Sequence, residues 1–192
     1  MKRKKHRRGK FLFWLLILAI ALALWQPMYK NIYLKAAYPE KYSGLVKKYA
    51  VQNNLDPNLV YAVIKCESSF NPGAQSNIGA LGLMQITPPT FEWAMSKDRP
   101  VQQYTDDDLF TPDINIHYGT VVLSALLREF GNVGTAVAAY HAGRGNVNKW
   151  LKNADYSKDG KTLYYIPFAD TRAYVGRVES ARKIYAELYG GS

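Results

Sequence analysis

One carboxyl group, that of Glu67, occupies a position suited to acid–base chemistry. It follows Val60, Val63 and Ile64 at helical spacing, so it should project from the apolar face of its helix. The segment Asn71-Pro72-Gly73 ends that helix shortly afterwards. Burial and the negative end of the helix dipole both disfavour the ionised carboxylate, so the pKa of Glu67 should be raised, as a general acid at neutral pH requires. The alternative is a frayed helix end that turns Glu67 out to water, which is the more frequent situation of a lone glutamate.

A glycine-rich segment beyond Glu67 has the composition of a ligand-binding loop. Residues 79–86 read GALGLMQI, and the two glycines allow the backbone to approach a ligand closely. Met84 would offer an apolar contact. Gln85 would offer an amide that both donates and accepts, which suits the acetamido groups of a sugar. A Gly-x-x-Gly spacing on its own is weak evidence for a site.

Two segments further along the chain contribute polar aromatic side chains. The first contains Tyr140 and His141, and the second, starting at Asp170, contains Tyr174. Such side chains can orient a carboxyl group or stack on sugar rings. Ordinary packing explains each of them taken singly, and for Tyr174 alone a core position is the simpler explanation.

The charge of the 192-residue chain is concentrated at its N-terminus. Seven of its 25 Lys and Arg residues lie in the first ten positions together with none of its 15 Asp and Glu residues, so only +3 of the net +10 belongs to the remainder. The excess is therefore a tail, and nucleic acid is not expected as a partner. The one cysteine, Cys66, cannot form an intramolecular disulfide, and no Cys/His cluster has metal-ligand spacing. We expect no metal and no cofactor.

The basic tail, residues 1–10, precedes an apolar segment that predicts a membrane anchor. Residues 11–25 contain no polar side chain, and continuing to Tyr29 reaches the length of a spanning helix, about 20 residues. A transmembrane helix over 11–29 keeps the basic tail in the cytoplasm by the positive-inside rule. The rest of the chain then lies on the extracytoplasmic side of the cell membrane.

The apolar segment has two other interpretations. A cleaved signal peptide shares the basic start, and small residues recur at Ala19, Ala21 and Ala23. These positions lie inside the apolar run, however, and no such pattern follows it at a polar boundary. A buried core helix fits poorly beside seven basic residues.

The remainder divides into a short spacer, 30–39, and a helical domain, 40–192. Apolar periodicity and cap residues predict helices that begin near Glu40, at Asp56-Pro57, at Thr111-Pro112, near Val133 and near Asp170. Gly131 and Gly143 should end the third and fourth of these. The Gly- and Pro-rich stretch 71–89 predicts a loop, and an Asp-Gly turn within 155–168 is compatible with a small hairpin. The fold class is all-α, with loops that can carry chemistry.

Taken together and in this order, four segments resemble the soluble lytic transglycosylase family. They are VIKCESSFNPGAQS, GALGLMQITPPT, AYHAGRGNV and DTRAYVGRV, and the similarity extends from about Lys41 to Tyr189. The resemblance implies a lysozyme-like fold with a loop-rich substrate groove. It also implies a bacterial lyase that cleaves the β-1,4 bond between N-acetylmuramic acid and N-acetylglucosamine in peptidoglycan and leaves 1,6-anhydromuramyl ends. The expected partners are peptidoglycan glycan strands and, through the anchor, the cytoplasmic membrane.

The resemblance also assigns roles to individual positions. Glu67 matches the single catalytic acid/base, and Tyr174 matches the tyrosine that hydrogen-bonds it. Three positions match residues that line the saccharide groove: Met84, Gln85 and Tyr140. Ser68 matches the serine after the acid, which has a structural or substrate-contacting role.

One position departs from the family pattern. Where the family usually has asparagine in Ala-Tyr-Asn-Ala-Gly, this chain has His141. Neutral histidine also donates and accepts, but from a larger ring, and below pH ~6.5 it becomes a cation. We keep His141 in the predicted substrate-binding site, with the hypothesis that activity changes with pH near that value.

Two other functions are compatible with the sequence. A hydrolytic muramidase would pair Glu67 with a second acid. Candidates for that acid lie beyond the glycine-rich segment: Asp98, Asp106, Asp107, Asp108 and Asp113. Three adjacent aspartates repel one another and seek water, which favours a solvated turn instead. A non-catalytic, membrane-tethered wall-binding module would need the groove but no proton-transferring carboxyl.

Overall fold

The structure is a computed structural model that describes residues 13–17, 23, 25, 30–98, 100 and 102–190. The chain divides into two units, Met1–Pro39 and Glu40–Ser192. In the first unit, residues 13–17 and 30–37 are helical, so the spacer contains a helix that its lack of periodicity did not predict. The basic tail and most of the predicted anchor, 11–29, lie outside the described residues. Within the described ranges, no helix has the length and apolar character needed to cross a bilayer.

The second unit is built from α-helices joined by loops. Its α-helices are α1 (Ser43–Gln52), α2 (Pro57–Ser68), α3 (Pro88–Asp98), α4 (Pro112–Phe130), α5 (Val133–Ala142), α6 (Arg144–Leu151) and α7 (Ala169–Tyr189). A 3₁₀ helix (Asp106–Phe110) precedes α4. Between residues 40 and 190 the described backbone forms isolated β-bridges at Gln75, Leu81 and Ile86 but no strand. The all-α prediction is therefore confirmed for this unit.

Helix α4 is the central helix, and it packs against α1, α3, α5 and the 3₁₀ helix. Pro112 stands in its first turn, where a missing N–H does no harm, and Gly131 ends it in the left-handed conformation (φ 64°). Its buried face carries polar as well as apolar side chains, among them Asn115 and Ser124. Both are hydrogen-bonded, which makes their burial tolerable.

Helices α2 and α7 form the most extensive helix pair and bring distant parts of the chain together. Tyr61 on α2 stacks on Tyr185 on α7, with ring centroids 5.1 Å apart. At the start of α2, the Asp56 carboxylate accepts the Asn58 N–H and also a 2.8 Å bond from Arg182 Nε. These contacts fix the first half of α2 against the second half of α7. The end of α2 then lies beside the first half of α7, where Tyr174 bonds Glu67.

The predicted helix starts at Asp56-Pro57 and Thr111-Pro112, and the predicted ends at Gly131 and Gly143, are confirmed. Helices α3 and α6 were not predicted. The small hairpin with which the segment 155–168 is compatible does not form, because this segment contains no strand. Its Asp159 carboxylate instead accepts the N–H groups of Lys161 and Thr162, which closes a local turn.

Candidate active site

Glu67 lies in the last turn of α2 and its carboxyl group is held by α7. The Tyr174 hydroxyl donates a 2.5 Å hydrogen bond to Glu67 Oε1. Tyr174 is itself 1% exposed, so this hydroxyl is fixed by the core. The alternative in which a frayed helix end turns Glu67 to water is not what the chain adopts.

The electrostatics of Glu67 suit proton transfer near neutrality. Burial raises the pKa of its carboxyl to about 7, and the Tyr174 hydrogen bond and the Arg177 guanidinium oppose this rise without cancelling it. At neutral pH both protonation states are therefore well populated. Such a group can give up a proton in one step and take one back in the next.

Tyr140 on α5 approaches the same carboxyl. Its hydroxyl donates a 2.7 Å hydrogen bond to the Met84 carbonyl. Burial and the charge of Glu67 hold the pKa of Tyr140 well above its usual value, so this phenol stays a proton donor. It joins α5 to the glycine-rich loop beside Glu67.

The structure corrects the predicted contact between the Met84 side chain and a ligand. Met84 is 0% exposed, and its sulfur would lie 2.3 Å from a Cβ placed at Gly119. The side chain thus fills the space that Gly119 leaves on α4 and has no surface to offer. Its part in the site is to present the carbonyl that Tyr140 binds.

Asn115 holds the glycine-rich loop in place by hydrogen bonds. This residue was not predicted from the sequence. Asn115 Oδ1 accepts the Met84 N–H at 2.7 Å, and Nδ2 donates to the Leu81 and Leu109 carbonyls at 2.9 and 2.7 Å. A Cβ on Gly82 would come within 2.2 Å of Asn115 Nδ2. A polar residue within the apolar stripe of α4 was the available signal.

Ser68 and Gln85 connect the loop to its surroundings. Ser68 Oγ donates a 2.7 Å bond to the Leu83 carbonyl, which joins the end of α2 to the loop. Gln85 has a left-handed backbone (φ 50°), and its Nε2 donates to the Ala74 and Gly82 carbonyls. The amide N–H groups of Gln85 are thus used within the loop, and its Oε1 is the end that suits a ligand.

His141 closes the side of the site formed by α5 and α7. Its ring stacks on Tyr174 at 4.4 Å between centroids, and its Nδ1 lies 3.1 Å from Thr171 Oγ1. Burial lowers the pKa of His141, with the Arg177 charge acting in the same direction and Asp170 acting against it. The imidazole is therefore neutral at the pH where Glu67 titrates.

Arg177 is a second residue of the site that sequence reasoning missed. Its guanidinium carbon lies 5.8 Å from the centre of the Tyr174 ring, a cation–π distance. The spacing of three residues from Tyr174 on one helix was the available signal.

A cavity of about 330 Å³ adjoins the site. Tyr140 lines it together with residues of α3, α4 and the α5–α6 junction, among them Trp93 and Arg144. Trp93 is 40% exposed, so an aromatic face is open at its rim. Aromatic rings beside polar groups are what a sugar-binding groove requires.

The five aspartates considered as a second acid lie elsewhere. Asp98 ends α3 and lies 3.5 Å from His117 Nε2, and Asp113 accepts the Tyr49 hydroxyl at 3.0 Å. Asp108 closes a capping box with Thr105. The other two, Asp106 and Asp107, are exposed in the 3₁₀ helix. The groups that act on the Glu67 carboxyl in the described structure are Tyr174 and Arg177, and neither is an acid.

Curated relatives share this domain. The soluble lytic murein transglycosylase of Escherichia coli is 32% identical over 160 residues, which cover 82% of this chain and 25% of that protein. The membrane-bound lytic murein transglycosylase C of Yersinia pestis is 31% identical over 170 residues, which cover 76% of this chain and 46% of that protein. The chain thus spans about a quarter to a half of the length of these relatives.

Solved structures have the same fold. An inactive mutant of the lytic transglycosylase Slt from Pseudomonas aeruginosa superposes with a TM-score of 0.71 at 32% identity and covers 80% of this chain and 25% of its own. The complex of the 70-kDa soluble lytic transglycosylase with bulgecin A superposes with a TM-score of 0.73 at 30% identity and covers 82% of this chain and 26% of its own. The lysozyme-like fold is therefore confirmed. Because the Transglycosylase SLT domain model also matches residues 44–163, the chain belongs to the SLT transglycosylase domain family.

Proposed function

We propose that this chain is a lytic transglycosylase that cleaves the β-1,4 bond between N-acetylmuramic acid and N-acetylglucosamine in peptidoglycan. The observation that carries the proposal is a single carboxyl group, Glu67, bonded by Tyr174 and with its pKa raised to about 7. The names of the relatives from Escherichia coli and Yersinia pestis, both lytic murein transglycosylases, support the same activity.

The proposed reaction needs one carboxyl group for both of its proton transfers. Protonated Glu67 donates to the glycosidic oxygen as the bond to muramyl C1 breaks, so N-acetylglucosamine leaves with a free 4-hydroxyl. The muramyl acetamido group stabilises the oxocarbenium-like C1. Ionised Glu67 then takes the proton of the muramyl 6-hydroxyl, whose oxygen bonds to C1. The product is a 1,6-anhydromuramyl end, the acid is regenerated, and no water is consumed.

The other site residues support this cycle in distinct ways. Tyr174 stabilises the ionised form of Glu67 by its hydrogen bond. Tyr140, His141 and the Gln85 amide oxygen form the walls that contact the sugar. Ser68 holds the loop that carries Gln85 by the bond from its hydroxyl to the Leu83 carbonyl. Met84 holds the same loop through its carbonyl, which accepts the Tyr140 hydroxyl.

Mass spectrometry of digested peptidoglycan tests the proposal. The full-length chain should release fragments one water lighter than the hydrolytic products, and Glu67→Gln should reduce this release by about 10²–10⁴-fold. Hydrolytic fragments would instead identify a muramidase. Glycan binding without release of either product by the unsubstituted chain would identify a wall-binding module.

We also propose that residues 11–29 anchor the enzyme in the cytoplasmic membrane with its catalytic unit on the extracytoplasmic side. The basic residues before the apolar segment support this orientation. Side chains at 13–17 are exposed and apolar on a helical backbone, which suits a lipid environment. The full-length chain should stay in membranes after a carbonate wash, whereas a cleaved signal peptide would leave a shorter, released chain detectable by its intact mass.

A further inference from the structure

Arg177 places an uncompensated positive charge beside the acid–base residue. It is exposed on α7, and its guanidinium contacts the face of Tyr174, whose hydroxyl binds Glu67. Two other arginines of the domain, Arg144 and Arg182, each form an ion pair with a carboxylate. Among the described residues, no carboxylate makes an ion pair with Arg177, so its N–H donors are available to a ligand.

The Arg177 charge is directed at the site itself. It lowers the pKa of Glu67 on α2 and also that of His141 on α5. The guanidinium, which lies over the Tyr174 ring, is thus close enough to act on groups of two other helices. The Tyr174 ring holds it there, so little side-chain entropy is lost when a ligand binds.

A guanidinium presents a planar fork of donors that matches a carboxylate. The substrate of the proposed function carries this group on its muramyl residue. Where the stem peptide is absent, the 3-O-lactyl group ends in a free carboxylate; where it is present, the peptide supplies carboxylates close by. A glycan built only from N-acetylglucosamine carries none.

We propose that Arg177 binds a carboxylate of the muramyl residue and thereby makes the site selective for anionic over neutral glycans. This inference rests on the proposed function, because that function places a muramyl residue beside Glu67. The chemistry shared by both sources is a carboxylate, and either the lactyl group or the stem peptide can supply it.

Substrate binding then adjusts the acid as well. A bound carboxylate neutralises Arg177, and the lowering of the Glu67 pKa by that charge is lost, so the acid is held protonated when an anionic substrate is in place. The other titratable groups that interact with Glu67 come from three helices: Cys66 on α2, Tyr140 on α5 and Tyr174 on α7. His141 on α5 stacks on the Tyr174 ring. Neutral substrates would not produce this change.

Calorimetric binding to full-length chains carrying Glu67→Gln, which prevents turnover, tests the selectivity. The three probes are glycan oligomers with stem peptides, the same oligomers after removal of the stems, and chito-oligosaccharides of equal length. Adding Arg177→Gln should weaken binding of the carboxylate-bearing oligomers about 10-fold and leave the neutral probe unchanged. A loss confined to stem-free oligomers identifies the lactyl carboxylate, and one confined to stem-bearing oligomers identifies the peptide.

The control is Arg128→Gln, which removes an exposed arginine at the end of α4 and should change none of the three affinities. An equal effect of Arg177→Gln on all probes, or no effect on any, would overturn the inference. The proposed function fails separately, through the absence of anhydro products from the chain with Glu67 intact.

A second readout is the pH profile of kcat/KM. Its alkaline limb should move to higher pH in Arg177→Gln, because the charge that lowers the Glu67 pKa is gone.

Discussion

At the scale of single residues, the raised pKa of Glu67 affects folding as well as catalysis. The carboxyl titrates at about 7 in the folded chain, above its ordinary 4.5. The folded state therefore binds the proton more tightly than the unfolded state does. The stabilisation that comes from protonated Glu67 is complete below about pH 4.5 and is lost as pH rises through 7. Above that pH a buried ionised carboxylate destabilises the fold by up to about 3 kcal/mol.

Glu67→Gln should therefore stabilise the protein in a pH-dependent way. The amide keeps an oxygen that can accept the Tyr174 hydroxyl but never ionises. We expect a gain in the free energy of unfolding of roughly 1–3 kcal/mol at pH 8 and little change at pH 5. Urea denaturation at the two pH values measures it. An equal effect at both would mean that Glu67 titrates normally in the folded chain.

Tyr174→Phe should change the pH profile as well as the rate. The hydroxyl lowers the Glu67 pKa, so its removal should move the alkaline limb of the profile to higher pH. The rate should fall about 10-fold or more, because a hydrogen bond to the ionised base is lost. Tyr61→Phe is the matched control, since the Tyr61 hydroxyl is buried without a hydrogen-bond partner among the described residues. If both variants behave alike, the Tyr174 hydroxyl has no specific role.

His141→Asn should remove an acidic limb from the same profile. Burial lowers the pKa of His141, so the imidazole gains its proton only at a pH below its ordinary 6.5. The imidazolium donates from both ring nitrogens and can no longer accept a hydrogen bond from the sugar. We expect the unsubstituted chain to lose activity as pH falls through this range and His141→Asn to retain it. An unchanged acidic limb in pH–rate measurements would refute the hypothesis.

At the scale of elements, the position of the glycine-rich loop depends on one close approach. Gly82 has φ +74°, and a Cβ there would lie 2.2 Å from both Asn115 Nδ2 and the Leu109 carbonyl. Gly82→Ala should cost about 2–5 kcal/mol of stability and most of the activity, because the loop that holds Tyr140 is displaced. Gly131→Ala is the control, since it has φ +64° but open space, and should cost about 1–2 kcal/mol. Urea denaturation of the two variants separates steric overlap from backbone strain.

The helix boundaries that sequence predicted are those with local chemical causes. Asp56 caps α2 with its own side chain, and glycines with positive φ follow α4 and α5. Helix α3 begins with two prolines and buries only two residues, Phe91 and Ala94, so its weak periodicity resembled a loop. Helix α6 begins among glycines and depends on the burial of Val147, Trp150 and Leu151, which is a tertiary effect.

The same distinction applies to the site. The burial of Glu67 was predictable, because it follows from periodicity along one helix. The contacts of Asn115 were not, because they join α4 to loop residues distant in the sequence and no local pattern encodes them. Arg177 lies over Tyr174 on the same helix, but its effect on Glu67 depends on the packing of α7 against α2. Met84 shows the reverse error: its type suggested a ligand contact, but the space above Gly119 accounts for it fully.

At the scale of the whole molecule, every contact described for the site joins residues of the unit 40–192. Tyr61 and Tyr185 join α2 to α7, and Arg182 binds Asp56 at the start of α2. Glu67 and Tyr174 thus come from a helix pair fixed at several points along its length. All the residues named in the site lie beyond residue 40 of the sequence.

A chain limited to residues 40–192 should therefore fold and keep its catalytic activity. It should no longer be attached to the membrane. Its kcat/KM on soluble glycan oligomers should match that of the full-length chain within about twofold, because no site residue is removed. Release of fragments from cells should fall, since the proposed anchor at 11–29 no longer holds the enzyme at the membrane surface. Cell fractionation and kinetics on the same preparations test both statements. A truncated chain that unfolds at lower urea concentration, or that loses kcat/KM on soluble oligomers, would mean that the first 39 residues contribute to the catalytic unit.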